Sequence, residues 1–215
     1  MTAKYSGKFV VFEGVNGCGK STQVTMASNW IRANHPFVNV VATKEPTEGF
    51  VGKQIRRALA DQNIFQVIGL TGLQSWYALD SLQHLQEKVI PALEKGDIVL
   101  CDRYRHSLVH SALFKSDIPV ILELNKKILG QQFLTPDLVL VFEVSPEIAM
   151  ERLAKKGTVF DAQETITEIS RTHTRYLELV EFWPDNLLVV NGNRSEQDIF
   201  SDVKQILLAR FAGLF

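Results

Sequence analysis

The chain has 215 residues, 46% of them hydrophobic and 22% charged, and a formal net charge of −1. This balance fits a globular chain with a sizeable core, excludes a disordered or fibrous one, and supplies no net positive field for nucleic acid or an acidic membrane. Two cysteines are too few for a disulfide framework and show no metal-ligand spacing. The start, MTAKYSGKFVVFEG, has no signal-type apolar region, and no apolar run approaches the roughly 18 residues of a membrane span. The expectation is a cytoplasmic protein with neither nucleic acid nor membrane as partner.

The first apolar run, KFVVFE (8–13), leads into GVNGCGKST and a helical pattern over 20–34. Gly14, Gly19, Lys20 and Ser21 match G-x-x-x-x-G-K-[ST] between strand and helix, the context in which that motif cradles phosphate. Glycines let successive N–H groups point into one concavity, and the helix N-terminus adds its positive end. Lys20 has the reach for β- and γ-phosphates, and the Ser21 hydroxyl suits Mg²⁺. The expected ligand is a nucleoside triphosphate, held by Gly14, Asn16, Gly17, Cys18, Gly19, Lys20, Ser21 and Thr22. Cys18 carries two readings, a small residue that fits the loop or a thiol activated by the helix end.

Pro36 precedes a second run, VNVVAT (38–43), followed by TKEPTEGFVGKQIRRAL. Pro46 and Gly49 mark a turn, and the helix expected over 50–61 carries Arg56 and Arg57, aimed at an anion or solvated. A long helix is expected over 70–95, stopped by Gly96. The third run, DIVLCD (97–102), ends in Asp102. A carboxylate at a strand end places an oxygen near Mg²⁺ in P-loop proteins, and it also serves as a helix cap. Arg103, next in the chain, is either a fork for a second phosphate or an internal partner of Asp102.

Helices are expected over 104–115 and 118–132, a strand in DLVLVFEV (137–144), helices over 146–155 and 163–181, a strand in NLLVVN (186–191) and a last helix over 195–211. Ser145 before Pro146 is the expected cap of its helix. The five runs are apolar on both faces, as in strands covered on both sides. Their alternation with helices predicts a parallel, doubly wound sheet, with ligands beyond the C-terminal strand ends. No repeat or linker composition interrupts the chain, so one domain over 1–215 is expected.

Taken together, FVVFEGVNGCGKSTQ, TKEPT followed by GKQIR, VIPALEKGDIVLCDRY, TPDLVLVFEVSPEIAMERL and RTHTRYLELVEFWPDNLLVVNG resemble, in order, segments of the thymidylate kinase family of P-loop nucleoside monophosphate kinases. The resemblance implies a three-layer α/β/α P-loop NTPase fold with a five-stranded parallel sheet and a short lid near 154–163. It implies that Lys20 and the loop glycines hold the donor ATP, with Ser21 and Asp102 at Mg²⁺. Arg103 and Arg56 would clamp the acceptor phosphate. Glu45, Pro46, Tyr77, Ser81 and Ser111 fall at acceptor-site positions, Tyr77 where the family stacks an aromatic on the base; core packing is its competing role. Lys155, Lys156 and Gly157 fall in the lid, and the two lysines are the expected catalytic cations or else a solvated helix end. Family members pair as homodimers, and the helix over 70–95 has a face apolar enough for a partner or for the core.

The sequence departs from the family pattern chiefly where base and sugar are read. Asn16 stands at an acidic position, Ser81 at that of a thymine-reading arginine, and Leu108, Ser111 and Ala112 replace Ser, Tyr and Gln. Asp80, Gln83, Arg105, His106 and His110 are candidates for another reading set. Gly17 stands where the family can carry a catalytic arginine, and KKGTVFDAQE contains none. The leading expectation is a kinase that moves the ATP γ-phosphoryl to dTMP. Its rivals are the same reaction on another nucleoside monophosphate and an ATP-binding interaction module without transfer.

Overall fold

The computed structural model describes residues 5–157, 164–182 and 186–215. Five strands, β1 (Lys8–Glu13), β2 (Val40–Lys44), β3 (Ile98–Asp102), β4 (Leu138–Glu143) and β5 (Leu187–Asn191), form one all-parallel sheet in the order β2-β3-β1-β4-β5. β1 and β3 are buried along nearly their whole length, which is why their sequences are continuous apolar runs. The chain leaves β1 for one side of the sheet and later returns to the other, so a crevice opens beyond the end of β1.

Helices α1 (Lys20–Asn34), α2 (Phe50–Ala60), α3 (Gln62–His84), α4 (Ile90–Glu94), α5 (Asp117–Leu129), α6 (Pro146–Lys156), α7 (Ile166–Glu178) and α8 (Glu196–Arg210) flank the sheet. Ser145 caps α6 by accepting from the Ile148 amide at 3.4 Å, with Pro146 in the first turn, as expected. The main core fills the space around β1, β3 and β4, and a smaller cluster of Ile55, Ala58, Leu59 and Leu73 joins α2 to α3.

Three expectations need correction. The long helix begins at Gln62 rather than residue 70, because Asp61 caps a short first piece that Gly69, at φ 65°, separates from the rest. It also widens into a π turn at Leu85–Val89 before α4. That turn makes room for Pro91, which lacks an N–H and would clash with the carbonyl four residues back. The expected helix over 104–115 is instead a 3₁₀ turn, Arg105–His110, followed by loop. Arg103 is left-handed at φ 73°, and Arg171 of α7 donates to the carbonyls of Val109, His110 and Ala112, satisfying groups a helix would have paired internally.

Candidate active site

Register alone assembles the site. Phe12 pairs with Asp102 across β1 and β3, and Lys44 pairs with Asp102 across β2 and β3. The loops after β1, β2 and β3 therefore meet at one edge of the sheet. The Arg103 amide donates to the Phe12 carbonyl at 2.9 Å, and the Glu45 amide to the Asp102 carbonyl at 3.0 Å.

The loop after β1 wraps the start of α1. At Gly17, φ is 82°, and a Cβ there would lie 2.3 Å from the Ala149 carbonyl oxygen of α6. No arginine fits at that position without moving α6, so the close helix approach accounts for the glycine. Lys20, buried at the first position of α1, donates through Nζ to the carbonyls of Gly14 and Val15, each at 2.9 Å. Burial, then the charge of Arg103, pulls its pKa below the ordinary lysine value. Ser21 Oγ donates to the Asp102 carboxylate. Cys18 is fully buried beneath the loop.

Arg103 is held from several directions. Nη1 donates to His110 Nε2 at 2.9 Å, to Tyr176 Oη at 3.2 Å, and to Ser107 Oγ and the Gly14 carbonyl at 3.3 Å. Nη2 donates to Asn16 Oδ1. Behind it lies Glu13, fully buried, which accepts from the Tyr104 amide, Ser107 Oγ and Tyr176 Oη at 2.8–2.9 Å. Burial pushes the Glu13 carboxyl pKa up, against the pull of the Arg103 charge. Burial opposes the Arg103 charge too, but Tyr176, Glu13 and Asp102 hold its pKa above the ordinary value. The expected pairing of Arg103 with the Asp102 carboxylate is not what fixes it.

Two cavities share Asn16 and Arg103 as a common wall. One, about 150 Å³, is lined by Gly17, Gly19, Lys20, Ser21, Thr22, Asp102, Lys156 and Glu164 as well. The other, about 170 Å³, adds Pro46, Arg56, Leu59, Tyr77, Ser107 and His110. Asn16 also donates to Glu164 at 3.3 Å. A carboxylate at position 16 would repel Glu164 and neutralise Arg103; the amide does neither. A larger cavity, about 590 Å³, opens on the far side of Ser21 and Asp102, and neither Lys20 nor Arg103 lines it.

The other candidates divide. Arg56 lines the second cavity, donating to the Pro46 carbonyl at 2.9 Å and to Glu48 at 2.8 Å. Glu45 is buried, accepting from Ser81 Oγ at 2.5 Å and pairing with His84 Nδ1 at 2.8 Å. Ser81 therefore spends its hydroxyl on Glu45. Ser111 lies away from both cavities; its buried hydroxyl has no hydrogen-bond partner among the described residues. Lys155 pairs with Glu151 at 2.5 Å on the exposed side of α6, whereas Lys156 lines the first cavity. The expected lid continues into 158–163, outside the described residues. Asp80 accepts from the amide and hydroxyl of Thr47 at 2.8 and 2.6 Å, and Gln83 donates to Glu87 at 2.9 Å. Sequence reasoning missed Glu13 and Tyr176; a carboxylate ending β1 beside one ending β3 was the available signal for the first.

His106 and His110 are buried behind this wall. Burial, then the charge of Arg105 on His106 and those of Arg103, Lys20 and Arg171 on His110, holds both pKa values well below the ordinary 6.5. Below about pH 6.5 the unfolded chain takes up protons that the folded chain refuses, so stability present at neutral pH is lost as pH falls. Calorimetry from pH 7 to 5 should show Tm falling, with up to about 1.4 kcal/mol per pH unit from each histidine. His110→Gln should flatten that slope.

The family model described as thymidylate kinase matches residues 12–203. A thymidylate kinase of Caldicellulosiruptor saccharolyticus is 37% identical over 205 residues, covering 94% of this chain and 96% of that one. One from Nostoc punctiforme is 30% identical over 210 residues, covering 97% and 99%. A probable thymidylate kinase of Pyrococcus horikoshii is 29% identical over 211 residues, with the same coverage. With matches of that extent, the chain belongs to the thymidylate kinase family.

Proposed function

We propose that this chain transfers the γ-phosphoryl group of ATP to the phosphate of dTMP, giving ADP and dTDP. The observation that carries the reading is the shared wall: Arg103 and Asn16 face both the cavity that holds Lys20 and the one lined by Arg56 and Tyr77. Two nucleotides placed there meet phosphate to phosphate. The Lys20 ammonium leaves the Gly14 and Val15 carbonyls for the β- and γ-phosphate oxygens. Arg103, with Arg56 beside it, holds the acceptor phosphate so that its oxygen approaches in line. The acceptor is already an anion, so no side chain has to take a proton before attack. The charge of the transition state spreads over the transferring oxygens and is met by cations already in place.

The Ser21 hydroxyl and Asp102 carboxylate, side by side at the cradle, are hard oxygen donors of the kind Mg²⁺ takes. Among the described residues no cluster of three or more acidic, His or Cys side chains stands ready for a metal. Ser21 and Asp102 would hold the ion together with phosphate oxygens, and it would supply charge neutralisation at the β- and γ-phosphates.

Lys156 takes the place of the missing arginine, while Lys155 does not, because its ammonium is turned to Glu151. Lys156→Ala should lower kcat about tenfold, below the roughly 10²- to 10³-fold effect of a dry donor, since the side chain is exposed. Lys155→Ala should stay within about twofold of wild type, as an exposed pair contributes little. Steady-state kinetics with ATP and dTMP measures both.

The same reading makes the chain one domain, acting as a homodimer in the cytoplasm. Exposed Phe50, Val67 and Leu79 on α2 and α3 support pairing through that side. Both cysteines are free and buried, which suits a reducing compartment. Among the described residues no helix is long and apolar enough to cross a membrane. A screen of nucleoside monophosphates with ATP and Mg²⁺ tests the proposal. dTMP should be the preferred acceptor; a strong preference for another base, or ATP binding with no transfer to any monophosphate, would overturn it.

A further inference from the structure

The position that reads thymine by an arginine in the family is Ser81 here, and its hydroxyl is committed to Glu45. Something else must meet the polar edge of the base. Beyond Tyr77, Arg103 and Ser107, which line both spaces, the second cavity narrows to about 20 Å³ of free space between Gln74, Ser81, Arg105 and Asn125. That space admits about one water, which a ring edge brought there would displace, so the edge is read directly by the side chains around it.

Two polar atoms at this narrow end lack partners among the described residues. Gln74 is 2% exposed, and its Oε1 accepts no hydrogen bond from them. Arg105 is 3% exposed; Nη1 donates to the Leu134 carbonyl and Nη2 to Thr135 Oγ1 at 3.4 Å, while Nε has no partner among the described residues. The guanidinium is pinned 3.9 Å from the centre of the Phe133 ring, so Nε cannot swing to water. Gln74 stands seven positions before Ser81 on α3, two turns back on the same face. Buried polar groups are ordinarily paired, and an orphan acceptor and an orphan donor lining one cleft await a ligand that carries the opposite pair.

Resting on the dTMP reading above, we propose that Gln74 is a specificity-determining residue. Its amide carbonyl accepts the ring N3–H of the acceptor base, and Arg105 Nε donates to the adjacent ring carbonyl. The imide edge of a thymine or uracil ring supplies such an N–H beside a C=O, whereas the pairing edges of cytosine and adenine carry no ring N–H. Asn125 already donates to the Ile121 carbonyl at 2.8 Å and closes the wall without being needed for the reading.

The test compares wild type and Gln74→Leu on dTMP and on dTMP methylated at N3, with ATP as donor. Methylation should cost wild type about ten- to a hundredfold in kcat/KM, mostly through KM. Gln74→Leu should lose a similar factor on dTMP, keep its KM for ATP, and lose nothing further on methylation. A wild type indifferent to N3 methylation overturns the inference whether or not the variant folds. So does a Gln74→Leu enzyme with the wild-type KM for dTMP. A wild type that transfers nothing to dTMP fails one step earlier and overturns the proposed function, and this inference with it.

Discussion

Lys20→Ala is expected to lower kcat/KM by about three orders of magnitude, the scale of removing a pre-aimed cation or donor from a phosphoryl-transfer site. Its ammonium sits at the head of α1, and in the structure it rests on two loop carbonyls, which are exchangeable partners. Stability should respond differently. Burial disfavours the charged form of Lys20, so removing it from the free protein should leave Tm nearly unchanged. What should disappear is the rise in Tm that saturating ATP gives the wild type, because a ligand stabilises only in proportion to its affinity for the folded state. A scan with and without ATP separates a lost phosphate ligand from a damaged fold.

Arg103→Ala should be equally severe toward dTMP, roughly a thousandfold in kcat/KM, while the KM for ATP changes little. Here stability should fall as well. Glu13 is fully buried, and Arg103 supplies the positive charge set against its carboxylate. Leaving a buried carboxylate without the charge that opposes it costs about 3 kcal/mol, on the order of 10 °C in Tm for a chain of this size. Arg103→Lys should recover much of the stability and little of the activity, because an ammonium restores charge but not the fork that reaches His110, Tyr176 and Asn16 together. Thermal scans and steady-state kinetics on the two variants check both halves. Wild-type kcat/KM in Arg103→Ala would remove Arg103 from the acceptor site.

The fold was legible wherever burial is two-sided. β1 and β3 have water on neither face, so their apolar runs mark them within a residue of the observed ends. β2 is a half-exposed edge strand, and its run at 38–43 lies two residues early of Val40–Lys44 at its start. The segment after Arg103 misled for a related reason. Arg105, His106, Leu108, Val109 and His110 are all buried, so no solvent face existed to give a helical period its meaning. What holds that turn is Arg171, more than fifty positions later in the chain.

The candidate site divides along the same line. Gly14, Lys20, Ser21, Asp102 and Arg103 sit in local motifs whose chemistry depends on near neighbours, and register brings them to one edge. Glu13 and Tyr176, 163 positions apart, are joined only by the fold, and neither spacing nor composition links them. Gln74 sits in an ordinary helix, and only its orphaned oxygen beside a cleft distinguishes it. The family resemblance pointed to Ser81, but one hydrogen bond to Glu45 takes that hydroxyl out of use.

Calorimetric titration with a dinucleotide that joins adenosine to thymidine through a polyphosphate bridge tests most directly whether the cradle and the second cavity are two halves of one site. One molecule per chain should bind far more tightly than ATP or dTMP alone, and Lys20→Ala and Arg103→Ala should each abolish that gain. Binding no tighter than ATP, and indifferent to Arg103, would mean that the two cavities do not receive one continuous phosphate chain.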